Sequence, residues 1–233
     1  MIQPLVLALW AALPYVVITT FVGGHIYRYA VDPYGWTSKS SELLESRWLG
    51  VGSQLFHWGF LVVILGHIIG LLVPRGVDLA LGVSDEAYHA VAIALGGASG
   101  VAAYIGAWIL LLRRLANPRV RATTDPSDLL ALVLIIITAT LGLYNTLVYN
   151  LTVGPYEYRT TIGAWVRSVL SFRPDPSLMA SAPLTFQLHV FFAYLVFLVW
   201  PFTRLVHVWS YPIFYLKRGW ILYRRARRYL MGL

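Results

Sequence analysis

Five long apolar stretches, separated by short polar segments, divide the chain. They are predicted as helices over about 4–29, 48–73, 86–112, 129–149 and 183–209, each long enough to cross a hydrocarbon layer of about 30 Å at about 1.5 Å per residue. Local signals support the ends. Pro74 stops the second run, and Asp125 followed by Pro126 reads as a cap and first-turn proline before the fourth. Pro14 predicts a kink in the first run, and Pro201 lies inside the fifth. Between the last two runs, Ile162, Trp165, Val166, Val169 and Leu170 fall at helical spacing and predict a short interfacial helix within 160–172. The expected class is an all-α integral membrane protein, a single five-helix membrane domain over 1–233. No internal repeat is visible.

Composition sharpens this picture. Of 233 residues, 58% are hydrophobic and 12% charged, with a mean hydropathy of +0.67. Five spans leave no room for a separate soluble domain, so any large reaction centre must sit on other chains. The absence of cysteine excludes disulfides, thiolate metal sites, iron–sulfur clusters and covalent c-type haem. The first run lacks a cationic segment before it and is long, so it is expected to remain rather than be cleaved.

The net charge of +8 does not point to nucleic acid, because the basic residues cluster beside apolar runs and no groove-binding motif accompanies them. It points to orientation. Arg75, Arg159, Arg167 and Arg173 fall on the side of the N-terminus; leaving aside Arg204, the other thirteen Lys and Arg fall on the opposite side. The positive-inside rule then places the N-terminus outside and the C-terminus, with its basic tail 210–233, in the cytoplasm. Arg119, Arg121 and the tail are expected to serve topology and partner docking together.

Chemistry enters with four histidines. His57 and His67 lie in the second run, His189 and His207 in the fifth. Ionisable groups inside a span are costly unless partnered, which makes each a site candidate. The two runs are antiparallel, so matching depths pair His67 with His189 towards the outer face and His57 with His207 towards the inner face. Along ideal helices the separations are about 15 Å and about 27 Å, a mismatch that demands tilt, a kink at Pro201 or slanted ligand axes. Two pairs at two levels fit axial ligation of two b haems, forming a dihaem helical bundle. Zinc or copper would need three or four ligands converging on one point. Ion transport would favour intramembrane carboxylates, and the apolar centres hold none. The alternative is a haem-free membrane anchor in which the histidines only hydrogen-bond. Gly96-Gly97-Ala98-Ser99-Gly100 offers either close helix packing or room for a flat macrocycle. Two haems across a bilayer make an electron path, for which a lipid-soluble quinol is the natural donor.

These residues resemble a known family. LFHWGFLVVILGHIIGLLVP at 55–74, GGASG at 96–100, RRLANPRVRATT at 113–124 and QLHVFFAYLVFLVWPFTRLVHVWS at 187–210 are similar to the gamma, or cytochrome b, subunit of membrane-bound respiratory nitrate reductase. The resemblance implies five transmembrane helices in the cell membrane and two b haems, the outer held by His67 and His189, the inner by His57 and His207. It implies quinol oxidation near the outer haem, with electrons passed inward to an iron–sulfur beta subunit and a molybdenum-containing alpha subunit that reduces nitrate. Some members carry a quinol-holding lysine near the start of the third helix, and Tyr88 occupies that position here, with His89 beside it. Tyr88 and His89 are therefore candidate quinol contacts, and His89 can accept a proton near neutral pH; the other reading makes both interfacial anchors of the helix end. His25 and Arg28 read as interfacial or structural. A dihaem subunit of a reductase acting on sulfur compounds or disulfides shares most of these features, because substrate chemistry lies on the partner.

Overall fold

The computed structural model describes residues 3–33 and 35–209, which are helical with turns and loops. The basic tail 210–233 lies outside the described residues. Five helices are long and apolar enough to cross a membrane: α1 (Pro4–Val31), α2 (Arg47–Leu72), α3 (Asp85–Ala116) and α4 (Pro126–Thr152), then α6, which is α-helical over Leu184–Val199. The shorter α5 (Ile162–Leu170) precedes α6. The chain is a multi-pass membrane protein. The N-terminal end of α1, the α2–α3 connection and the α4–α6 connection share one face, here the N-face; the loops 32–46 and 117–125 share the opposite C-face.

Proline explains two irregularities. Pro14 has no N–H to donate to the carbonyl four residues back, that of Trp10. The helix widens into a π turn over Ala8–Ala12, and the freed Trp10 carbonyl accepts from Trp165 Nε1 of α5 at 2.8 Å. The predicted kink thus becomes a docking point. Ile162, Trp165 and Val169 of α5 are buried in a cluster with Trp10 and Tyr194, so this apolar face packs chiefly on protein rather than lying on lipid as an interfacial helix would.

Pro201 has the larger effect. The run predicted as one helix over 183–209 stops being α-helical at Val199, passes through a 3₁₀ turn at Trp200–Phe202 and an extended Thr203, and re-forms as a 3₁₀ segment over Arg204–Trp209. The lost backbone bonds are made good from α1: Arg28 Nη1 donates to the Pro201 and Thr203 carbonyls at 3.0 and 3.3 Å. A cation on the last carbonyls of a helix is doubly favourable, as a donor and against the helix dipole. Gly24 lets α1 pass there, since a Cβ on it would lie 2.8 Å from the Pro201 ring.

Small residues set the α2–α3 contact. A Cβ on Gly59 would stand 2.5 Å from the Ser99 carbonyl oxygen and 2.6 Å from the Ala103 nitrogen, and one on Gly106 would stand 2.4 Å from the Phe56 nitrogen. Gly97 and Gly100 face Leu147 and Leu143 of α4. The GGASG stretch therefore packs α3 between two neighbours. Backbone cannot retreat as a side chain can, so Gly59→Ala is expected to cost about 1–3 kcal/mol by overpacking. Gly50→Ala, where a Cβ meets nothing within 4 Å, should leave thermal unfolding in detergent nearly unchanged or slightly raised.

Ion pairs close the C-face. Arg113 is buried, pairs with Glu45 and donates to Ser41 Oγ at 2.9 Å. Asp128 is buried in the first turn of α4, which begins at Pro126 rather than near 129, and accepts from Arg204 at 2.7 Å with Arg114 at 3.7 Å. Arg204, the cation left inside the fifth run, thus has its counter-charge. Asp125 makes no capping bond; its carboxylate pairs with Lys39 instead.

Candidate functional site

The fold brings the four histidines together as two pairs. The rings of His67 and His189 have centroids 6.0 Å apart and planes inclined by 28°. Those of His57 and His207 are 5.9 Å apart and inclined by 72°. The break at Pro201 answers the mismatch in helical spacing, because His207 stands on the separate 3₁₀ segment and its distance from His189 is not measured along one helix.

Backbone carbonyls orient all four rings. His57 Nδ1 lies 2.7 Å from the Ser53 carbonyl, His67 Nδ1 2.8 Å from that of Val63, His189 Nδ1 2.9 Å from that of Thr138, and His207 Nδ1 2.6 Å from that of Arg204. A carbonyl oxygen only accepts, so each Nδ1 is the protonated nitrogen and each Nε2 carries a lone pair. That arrangement is the one a metal-ligating imidazole adopts. Gly142 makes space for the His189 ring, since a Cβ there would lie 2.9 Å from its Cε1.

His25 provides an internal contrast. Its Nδ1 bonds the Phe21 carbonyl in the same manner, at 2.6 Å, but its Nε2 accepts from Trp209 Nε1 at 3.1 Å. Both nitrogens are occupied, and His25 acts as a structural hydrogen-bonding residue.

The separations suit a shared ion. An imidazole nitrogen binds a metal at about 2 Å, and the ring centre lies about 1 Å further back, so two rings on opposite sides of one ion stand about 6 Å apart. Among the described residues no three His, Asp or Glu side chains form a metal-binding group. Two protein ligands per centre fit a metal whose other positions are filled by a macrocycle and do not fit a protein-ligated zinc site.

At the N-face, Tyr88 and His89 sit beside a cluster that sequence reasoning missed. Arg159, counted above only for topology, has a fully buried side chain. Its guanidinium donates to Asp78 Oδ2 at 2.8 Å and Asp85 Oδ1 at 2.6 Å, and spans Glu157 through Nε at 2.8 Å and Nη2 at 2.5 Å. It also caps the Tyr88 ring at 3.8 Å. Arg75 pairs with Asp85 from the other side. Burial works to raise the Glu157 carboxyl, but the bonds and charge of Arg159 outweigh it and hold it below the usual carboxylate range. The paired carboxylates in turn push the Arg159 guanidinium further up. Only the acidic residues around the α2–α3 junction, Asp78 in the connection and Asp85 and Glu86 in the first turn of α3, hinted that this loop arginine would be drawn inward.

The two candidates of the quinol site separate here. The Tyr88 hydroxyl is engaged with Tyr158 Oη at 2.7 Å, and both phenols press on Gly70, one turn beyond His67. His89 instead lines a cleft of about 420 Å³ with Asp85, Glu86, Ala90, Ile93 and Pro155. Its Nε2 lies 3.4 Å from Glu157 Oε2.

Comparison with known proteins agrees with the resemblance. The sequence pattern of the nitrate reductase gamma subunit matches residues 6–226. The nitrate reductase gamma chain of Bacillus subtilis is 50% identical over 217 residues, covering 93% of this chain and 97% of that one. The respiratory nitrate reductase 1 gamma chain of Escherichia coli is 37% identical, covering 91% and 93%. A more distant relative, the Hdr-like menaquinol oxidoreductase cytochrome b-like subunit of Archaeoglobus fulgidus, is 27% identical over 70% of this chain and 48% of its own. The chain belongs to the nitrate reductase gamma subunit family and is a membrane-embedded subunit of such a complex.

Proposed function

We propose that this subunit is a dihaem cytochrome b that oxidises quinol at the N-face and delivers electrons to partner subunits at the C-face. The observation that carries this reading is the two histidine pairs, 6.0 and 5.9 Å apart, with every Nδ1 committed to a carbonyl. The Archaeoglobus fulgidus relative, the cytochrome b-like subunit of an Hdr-like menaquinol oxidoreductase, supports the same chemistry. Haem bound between each pair would supply one-electron transfer across the apolar layer.

The chain's own residues do the rest. His67 and His189 would hold the haem nearer the N-face, and His57 and His207 the one nearer the C-face. Their carbonyl partners fix ring direction and raise ligand basicity. The cleft beside His89 offers Ala90 and Ile93 to a quinol ring and the imidazole to its hydroxyl. The excess of cations on the C-face side of the sequence supports an orientation with that face in the cytoplasm and the N-face outside the cell membrane. Quinol protons are then released outside while electrons move inward, to an iron–sulfur beta subunit and a molybdenum-containing alpha subunit that reduces nitrate. The basic C-face and tail provide the docking charge for these partners.

The test is a pyridine haemochrome and a reduced-minus-oxidised spectrum of the complex purified with its partner subunits. Two b haems per chain, both reduced by added quinol, are expected. A folded, fully assembled complex without haem would leave a membrane anchor.

A further inference from the structure

We propose that Glu157 takes the quinol proton from His89 and passes it to water at the N-face, making the loop around Glu157 the proton exit of the cleft. This rests on the reading of the cleft as a quinol site. It adds a residue and a route which that reading lacks.

The geometry carries it in three steps. The His89 side chain is only 12% exposed, so a proton taken up there has little direct access to water, whereas Glu157 is 28% exposed and 3.4 Å away. His89 Nε2 faces Glu157, which leaves Nδ1, on the other side of the ring, as the nitrogen able to take a proton from a molecule in the cleft. Glu157 is not free to turn away. Arg159 grips both of its oxygens, and the Arg159 backbone N–H bonds Oε1 at 3.2 Å. The guanidinium is itself anchored by Asp78 and Asp85, and its backbone carbonyl accepts from Arg167 Nη2 at 2.9 Å. The charged and titratable neighbours of the pair are thus Arg159, Arg75, Asp85, Glu86, Tyr88 and Tyr158. The arginines keep the acceptor ionised between transfers, and the carboxylate is presented to the imidazole at a set distance.

In each transfer one quinol O–H bond breaks, its proton binds His89 Nδ1, and one electron leaves towards the level of His67 and His189, where a bound haem would accept it. The His89 Nε2–H bond then breaks, its proton goes to the Glu157 carboxylate, and water at the N-face removes it. The ring is then left as the Nδ1–H tautomer; its proton exchanges back to Nε2 before the next transfer, and two such cycles, each moving one proton and one electron, convert one quinol to quinone. Glu157 does not touch the quinol; it is a positioning and relay residue acting through His89.

The experiment uses the full complex with a reduced short-chain naphthoquinol as donor and nitrate as acceptor. Glu157→Gln, which keeps the shape and removes the proton-accepting charge, is expected to lower quinol-driven turnover about a hundredfold, the low end of what general acid–base catalysis supplies. It should also raise the solvent isotope effect while both haem signals stay intact, and Glu157→Asp should recover part of the loss. Turnover and isotope effect equal to wild type would overturn the proposal. So would a loss of turnover with an unchanged isotope effect and pH profile, which marks a purely structural role. If Glu157→Gln fails to assemble, as its haem spectrum would reveal, Glu157→Asp and His89→Gln carry the same comparison. Should wild type itself bind haem yet fail to take electrons from the naphthoquinol, the quinol reading fails rather than the relay.

Discussion

Alanine at His67 or at His189 is expected to remove the same haem, and alanine at His57 or His207 the other. Each variant should keep half of the wild-type pyridine haemochrome signal. The pairing predicts which variants resemble each other, and it follows both from matching depth in the antiparallel runs and from ring separations of 6.0 and 5.9 Å. A single imidazole cannot replace the pair, because the remaining ring keeps its carbonyl bond but the haem it would hold loses its other protein ligand. All four variants should lose quinol-driven nitrate reduction, since an electron path needs both centres. His25→Ala should retain both haems, because each of its ring nitrogens already has a protein partner. Loss of both haems from every single variant, in protein that still assembles, would argue for one shared site and against two levels.

Replacing Arg159 is expected to be the most destabilising single change outside the helix contacts. Arg159→Ala leaves Asp78, Asp85 and Glu157 crowded without the cation that holds them, and breaking a buried ion pair of this kind costs about 3–5 kcal/mol. Arg159→Lys should rescue little, because an ammonium cannot span both oxygens of Glu157 while reaching two aspartates and lying flat on Tyr88. Thermal unfolding in detergent, together with proteolysis of the 153–161 loop, measures this. Unfolding like that of wild type would sink the account. The cluster should also weaken in acid. The folded-state pKa of Glu157 is depressed, so its contribution is present above the ordinary glutamate value and is lost as pH falls through the lower, folded one. The protection factors of the amides in this loop, exchange rates taken relative to the unstructured chain at the same pH, should therefore fall on acidification in wild type.

Much of the site was legible before any coordinates. Four histidines in two antiparallel apolar runs force pairing by depth, because a helix has a fixed rise and a membrane has two sides. The departure at Tyr88 from a quinol-holding lysine was also visible. Its environment was not: the hydroxyl is taken by Tyr158, from a loop seventy residues further on, and the ring is covered by Arg159. Glu157 escaped notice for the same reason. A carboxylate in a loop is usually solvated, and only folding places it beside His89.

The sequence by itself determined the class, the five spans, the absence of thiolate chemistry and the histidine pairing, because hydropathy, helical rise and residue type act locally and the bilayer imposes one direction on them. Tertiary structure alone decided three things. It mended with Arg28 the break that Pro201 makes in the fifth run; it turned α5 onto the Trp10 carbonyl freed by Pro14; and it drew Arg159 among three carboxylates. Each is a polar backbone or side-chain group removed from water, and such a group takes whichever partner the packed helices bring within about 3 Å, however distant in sequence.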